Sequence, residues 1–128
     1  MVSDERRLAY GVLLAQFPGL TVPPWLDEPL RHGLAGIILF GENTPDIATT
    51  RDVVARFQGV RAQAGGPPLV VASDEEGGDV TRLQVGTGSS LPGNAALGAV
   101  DDVALTERCA TAFGTLLAHA GITYDLAP

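Results

Sequence analysis

Short apolar runs alternate with longer amphipathic stretches along most of the chain. Gly36-Ile37-Ile38-Leu39-Phe40 is wholly apolar, β-branched at its centre and flanked by glycine, the pattern of a strand buried on both faces. Leu69-Val70-Val71-Ala72 reads the same way, and Ile122-Thr123-Tyr124-Asp125-Leu126 forms a further strand. Gly11-Val12-Leu13-Leu14-Ala15-Gln16 is an apolar run closed by the turn signal Phe17-Pro18-Gly19. Periodicity does not separate strand from buried helix there; we read it as a strand. Between these runs, Pro23-Pro24 predicts the entry to a helix over 25–31, with Gly33 at its stop. Thr44-Pro45-Asp46 predicts the next helix, with Thr44 as N-cap and Pro45 at the first helical position. Ile47, Val53, Val54, Phe57 and Val60 form its apolar face, and Gly65-Gly66-Pro67-Pro68 ends it. After a long glycine-rich loop, Asp101-Asp102 opens a helix that runs to about residue 120 and is capped by Gly121.

Strands that alternate with helices predict an α/β fold: a parallel sheet, covered faces and right-handed crossovers. A doubly wound open sheet and part of a (β/α)₈ barrel both satisfy the pattern. The chain stops at Ala127-Pro128, directly after a strand and before any helix that would cover it. We therefore expect one domain or a piece of one.

Composition narrows the partners. No apolar run reaches the roughly 18 residues of a membrane helix, and the start, Met-Val-Ser-Asp-Glu-Arg-Arg, is not followed by an apolar signal core. These features predict a cytoplasmic protein without a membrane partner. The net charge is −7 and all eight basic residues are arginine, which argues against a nucleic-acid surface. The single Cys109 excludes an internal disulfide and reads as a small core residue of an amphipathic helix.

The stretch richest in chemistry is Ser73-Asp74-Glu75-Glu76-Gly77-Gly78-Asp79-Val80-Thr81-Arg82-Leu83, directly after the 69–72 strand. The C-terminal edge of a parallel sheet is where ligands bind, in a barrel and an open sheet alike. Asp74 offers two acceptor oxygens in a fork that suits vicinal hydroxyls, and Arg82 adds donors. Together they suit a neutral, hydroxyl-rich ring. Plainer roles also fit: Asp74 as a loop or cap residue, and Gly77-Gly78 as a turn that needs positive φ. The acids Asp74, Glu75, Glu76 and Asp79 lack the alternate-position spacing of an EF-hand loop. Four carboxylates also repel a phosphate, which favours glycine with lysine or exposed N–H groups.

Four segments in register resemble glycoside hydrolase family 3. Residues 69–83 look like the motif after the third barrel strand, which in that family's bacterial β-N-acetylhexosaminidases reads Asp-Gln-Glu-Gly-Gly-Arg-Val-x-Arg. Gly36-Ile37-Ile38-Leu39-Phe40-Gly41-Glu42-Asn43 is similar to the second strand and the loop beyond it. Leu91-Pro92-Gly93-Asn94-Ala95-Ala96-Leu97-Gly98 resembles the Leu-Pro…Ala-Leu-Gly segment before the next helix. Ala120-Gly121-Ile122-Thr123-Tyr124-Asp125-Leu126-Ala127-Pro128 looks like the fourth strand. The resemblance implies the N-terminal half of a TIM (β/α)₈ barrel, residues 1–128 supplying about the first four β/α units. Family 3 β-glucosidases usually place a His-Gly pair after the strand-three Asp; Glu76-Gly77-Gly78 fits the hexosaminidase branch instead. The resemblance makes Asp74 the carboxylate that grips sugar hydroxyls in the first subsite. It makes Arg82 a second polar contact or the support of that carboxylate, and Asn43 a candidate near the rim. Two positions depart from the pattern, Asp79 where Arg is usual and Glu75 where Gln is usual, and we expect both to face solvent.

Retaining glycosidases need a nucleophile and an acid/base on either side of the scissile bond. The resemblance implies an Asp on a late strand and a His-Asp pair on a loop after the fifth strand, both beyond Pro128. His32 and His119 fall on helices away from the strand C-termini and Asp125 lies within a strand, so all three are expected to be structural. The implied full-length parent is a retaining β-glycosidase, a β-N-acetylhexosaminidase acting on GlcNAc-containing glycans or peptidoglycan fragments, with no metal or organic cofactor. A barrel typically takes about 250 residues. The chain alone is therefore expected to carry part of the sugar subsite but no catalytic residues, to need the C-terminal half, and to be oligomeric or poorly soluble. Competing readings are a non-catalytic sugar-binding barrel, a β-glucosidase or other β-glycosidase of the same family, and a small doubly wound nucleotide binder. The last would need a glycine-rich loop after the first strand, where Phe17-Pro18-Gly19 supplies one glycine.

Overall fold

A computed structural model describes residues 3–127; Met1, Val2 and Pro128, the outer ends of the leader reading and of the fourth-strand motif, lie outside the described residues. Four strands, β1 (Leu14–Ala15), β2 (Gly36–Leu39), β3 (Val70–Ser73) and β4 (Tyr124–Asp125), alternate with helices α1 (Asp4–Tyr10), α2 (Pro24–Arg31), α3 (Ile47–Gln63), α4 (Asn94–Val100) and α5 (Val103–Ala120). The strands pair in parallel in the order β1-β2-β3-β4. A doubly wound sheet reverses its strand order at a switch point, whereas a barrel adds each strand beside the last. The observed order is the barrel's, and the α/β expectation holds.

Register separates the two faces of the sheet. Leu14, Gly36 and Val70 lie opposite one another, and so do Ile38, Ala72 and Tyr124. Because strand side chains alternate, Ile37, Leu39 and Val71 occupy the other face, where they are fully buried with Leu26 and Leu30 of α2, Val53 and Phe57 of α3 and Leu117 of α5. Phe17, from the loop after β1, joins this core with its ring 4.4 Å from that of Phe57. Burying one such ring contributes roughly 1.5–3 kcal/mol. The Gln58 side-chain amide donates to the Leu69 carbonyl and accepts from its N–H, at 3.0 and 2.9 Å, which fixes where β3 begins. On the opposite face Leu14, Val70, Tyr124 and Leu126 are exposed. That uncovered apolar side, with β1 and β4 each paired to a single described strand, is the interior of a barrel seen open.

Helix ends follow their capping chemistry. The Asp102 side chain accepts the Leu105 N–H to open α5, and Gly121 closes it at φ 80°, as expected. At α3 the expectation of a Thr44 N-cap is corrected. Asp46 is the cap and accepts the Thr49 N–H, while Thr44 ends a 3₁₀ turn over Gly41–Asn43. The first strand is shorter than 11–16, because residues 11–13 follow directly on α1, a helix not anticipated and without a buried residue. Nor was α4, which occupies the end of the long loop. Cys109 is buried on α5, as expected.

Candidate functional site at the strand tops

Beyond β3 the chain enters a fold-back that only glycine permits. Gly77 and Gly78 have φ of 79° and 56°. A β-carbon at Gly77 would lie 2.5 Å from the Pro92 carbonyl oxygen and 2.6 Å from the Phe113 ring. The Glu76 N–H donates to Val80 and the Val80 N–H to Gly77, so residues 81–83 return over the end of β3.

The alternation of β3 then assigns opposite directions to two adjacent acids. Asp74 shares parity with Val70 and Ala72 and falls on the open face. Glu75 shares parity with Val71 and Ser73 and falls inside. Asp74 is about a quarter exposed and accepts a hydrogen bond from Arg82 Nη2 at 3.0 Å. The guanidinium also lies 5.7 Å from the Phe40 ring centroid. Phe40 is the next position in register beside Asp74, since Leu39 pairs with Ser73. The Arg82 backbone is held as well: its carbonyl accepts from Thr44 Oγ1 at 2.7 Å and its N–H donates to Glu75 Oε2 at 2.8 Å. Arg82 Nε is buried and finds no partner among the described residues. The structure thus joins the two sequence-predicted residues in one ion pair at the C-terminal mouth of the sheet.

Three other expectations change or settle. Glu75 does not face solvent. It is 1% exposed and accepts hydrogen bonds from Thr81 Oγ1 and from the Arg82 and Leu83 N–H groups. Asp79, by contrast, is exposed. Asn43 is fully buried rather than at the rim. Its Oδ1 accepts from the Phe40 N–H at 2.9 Å, and its Nδ2 donates to the Phe17 and Gly19 carbonyls at 3.1 and 2.7 Å, tying the loop after β2 to the loop after β1. His32 caps the C-terminus of α2 and His119 lies in the last turn of α5, at the helix ends that lead into the N-terminal ends of β2 and β4 and so opposite the strand tops. Asp125 accepts the Glu75 N–H at 3.0 Å. Burial pushes its carboxyl above the ordinary value; the Glu75 N–H opposes this, and the carboxylates of Glu75, Asp74 and Glu76 add to it. A cavity of about 360 Å³ between α4, α5 and the end of β4 is lined by Leu97, Phe113 and Leu117 together with Glu75, Glu76 and Asp125. Among the described residues no helix is long and apolar enough to cross a membrane.

Comparison with known proteins gives the same geometry a lineage. The chain is 34% identical over 114 residues to β-hexosaminidase A of Pseudoalteromonas piscicida, a match to 84% of this chain and 19% of that protein. All of it superposes on a family 3 β-N-acetylglucosaminidase from Paenibacillus sp. str. FPU-7, with a TM-score of 0.88, 31% identity and 24% of that chain covered. NagZ of Neisseria gonorrhoeae, solved in complex with N-trifluoroacetyl-D-glucosamine, aligns over 88% of this chain and 34% of its own at a TM-score of 0.65 and 28% identity. The chain therefore spans about a fifth to a third of the length of these relatives. The family model for the glycosyl hydrolase family 3 N terminal domain matches residues 26–128, and it is to that family that this chain belongs.

Proposed function

We propose that residues 1–128 are the first four β/α units of a family 3 barrel and carry part of the sugar subsite of a β-N-acetylhexosaminidase. The observation that carries this reading is the Asp74–Arg82 pair, set 3.0 Å apart on the open face of the sheet at its C-terminal edge. A carboxylate at that edge has one oxygen engaged by Arg82 and further lone pairs to accept sugar hydroxyls. Arg82 holds the carboxylate oriented, and keeps spare N–H groups for the same ring. The pair needs no charge on its ligand, which suits a neutral N-acetylhexosamine. In this reading the nucleophile and the acid/base come from later strands of the full-length parent, which cleaves through a covalent glycosyl-enzyme intermediate.

The test is release of p-nitrophenol from p-nitrophenyl N-acetyl-β-D-glucosaminide by the full-length parent. Hydrolysis is expected from the parent and none from residues 1–128 alone. Asp74→Asn weakens hydrogen bonds to a charged acceptor worth about 1.5–3 kcal/mol, and should lower kcat/KM by about 10- to 100-fold. An inactive parent, or an Asp74→Asn parent as active as the wild type, overturns the proposal.

A further inference from the structure

Glu75 is a buried carboxylate to which the reading above gives no task. It is 1% exposed, and its two oxygens divide their work. Oε2 accepts the consecutive N–H groups of Arg82 and Leu83, at 2.8 and 3.0 Å, while Oε1 accepts the Thr81 hydroxyl. The Thr81 oxygen in turn accepts the Gln84 N–H at 3.1 Å, so four successive residues after the diglycine fold-back hang from one side chain. The far side of the same peptide run is held by Thr44, through the Arg82 carbonyl. Glu75 itself is anchored by its own N–H to Asp125 on β4. Apart from Phe40, which lies beneath the guanidinium, the contacts that place the Arg82 backbone therefore run through Glu75 and Thr44.

We infer that Glu75 is the positioning residue of the sugar subsite: its carboxylate holds the 81–83 backbone where Arg82 meets Asp74. This rests on the proposed function for its substrate, and on the geometry alone for the positioning. A glutamine fits the same role. Its carbonyl oxygen can take the place of Oε2 under both N–H groups, and its amide can donate to Thr81 where Oε1 accepted. An alanine leaves two buried N–H groups and a hydroxyl without their acceptor. Glu75 touches no substrate in this scheme, and its effect passes through Arg82.

A double-mutant cycle in the full-length parent tests this. Glu75→Ala should lower kcat/KM by about 10-fold, mostly through KM, as loss of an oriented binding group does. Glu75→Gln should return it to within about twofold of wild type, because both backbone contacts survive. In an Arg82→Ala background, Glu75→Ala should cost less than about twofold, since the group it positions is gone. Equal losses in both backgrounds, or a Gln variant as poor as the Ala variant, overturn the inference. If Glu75→Ala does not fold, Thr81→Val removes one of the three ties and enters the same cycle, with the same rule for overturning it. Hydrogen exchange separates the two readings. The Arg82 and Leu83 amides should be protected in wild type and in Glu75→Gln and exchange freely in Glu75→Ala, whereas Thr81→Val should free the Gln84 amide, whose acceptor is the Thr81 hydroxyl. A parent that hydrolyses nothing defeats the proposed function, and the exchange result then decides Glu75 alone: amides equally protected in every variant overturn it.

Discussion

Two glycines with the same backbone angle allow the tightness of the fold-back to be measured. Gly77 and Gly88 both have φ of 79°, but a β-carbon at Gly88 meets nothing within 4 Å, whereas at Gly77 it lies 2.5 Å from the Pro92 carbonyl oxygen and 2.6 Å from Phe113 Cζ. Left-handed backbone costs an L-residue about 1–2 kcal/mol, and Gly77→Ala and Gly88→Ala share that cost. Only Gly77→Ala adds a collision. The Phe113 ring tip can swing aside, but the Pro92 carbonyl is backbone, in a segment tied to the fold-back by the Gly78 N–H to the Leu91 oxygen. Overpacking of this kind costs about 1–3 kcal/mol. At about 2–4 °C per kcal/mol for a domain of barrel size, Gly77→Ala should melt roughly 2–12 °C below Gly88→Ala. The assay is thermal unfolding of both variants of the full-length parent under identical conditions, followed by far-UV circular dichroism. Equal melting temperatures would refute the claim that Pro92 closes over the turn.

Asn43→Ala removes the acceptor of the part-buried Phe40 N–H and two hydrogen bonds to the loop after β1. It should cost about 2–6 kcal/mol, counting one unsatisfied group and two lost hydrogen bonds; a shift of the urea midpoint worth less than about 1 kcal/mol would contradict the staple described above. Asp125 gives a pH signature. Its folded pKa is raised above the ordinary 3.8, so the folded state holds the proton more tightly than the unfolded state. That contribution to stability is fully present below pH 3.8 and is lost as pH rises through the folded value. Asp125→Asn has no proton to lose, so its stability relative to wild type should rise across that weakly acidic window; urea midpoints that track each other at every pH would refute it.

The sheet and its caps were legible because their signals are local. Asp102 and Gly121 stand at the ends of one amphipathic run, and the β2 and β3 runs have few alternatives. What failed depended on contacts between segments. Thr44 carries a good cap side chain, but the 3₁₀ turn and the Arg82 carbonyl claim it, so the cap passes two residues on to Asp46. The helix α1 buries nothing, so no apolar stripe announced it, although Ser3 before Asp4 and Glu5 is an N-terminal signature. Asp74 and Arg82 stand out by their place directly after the 69–72 run and by the motif they resemble, not by periodicity. The solvent expectation for Glu75 fails because the side-chain alternation of β3 carries on past its last paired residue, Ser73. Counting the alternation onward from Val71 through Ser73 puts Glu75 inside.

The two neighbouring carboxylates on either side of the sheet plane impose a reading frame on this part of the gene. Removing one codon between 69 and 73 would rotate everything downstream by half a pleat. The anchor would then project into the barrel mouth and the ligand-facing acid into the hydrocarbon beneath, with no change in composition or charge. Length variation should be tolerated instead in residues 85–88, which are exposed and lie past the last of the anchored residues.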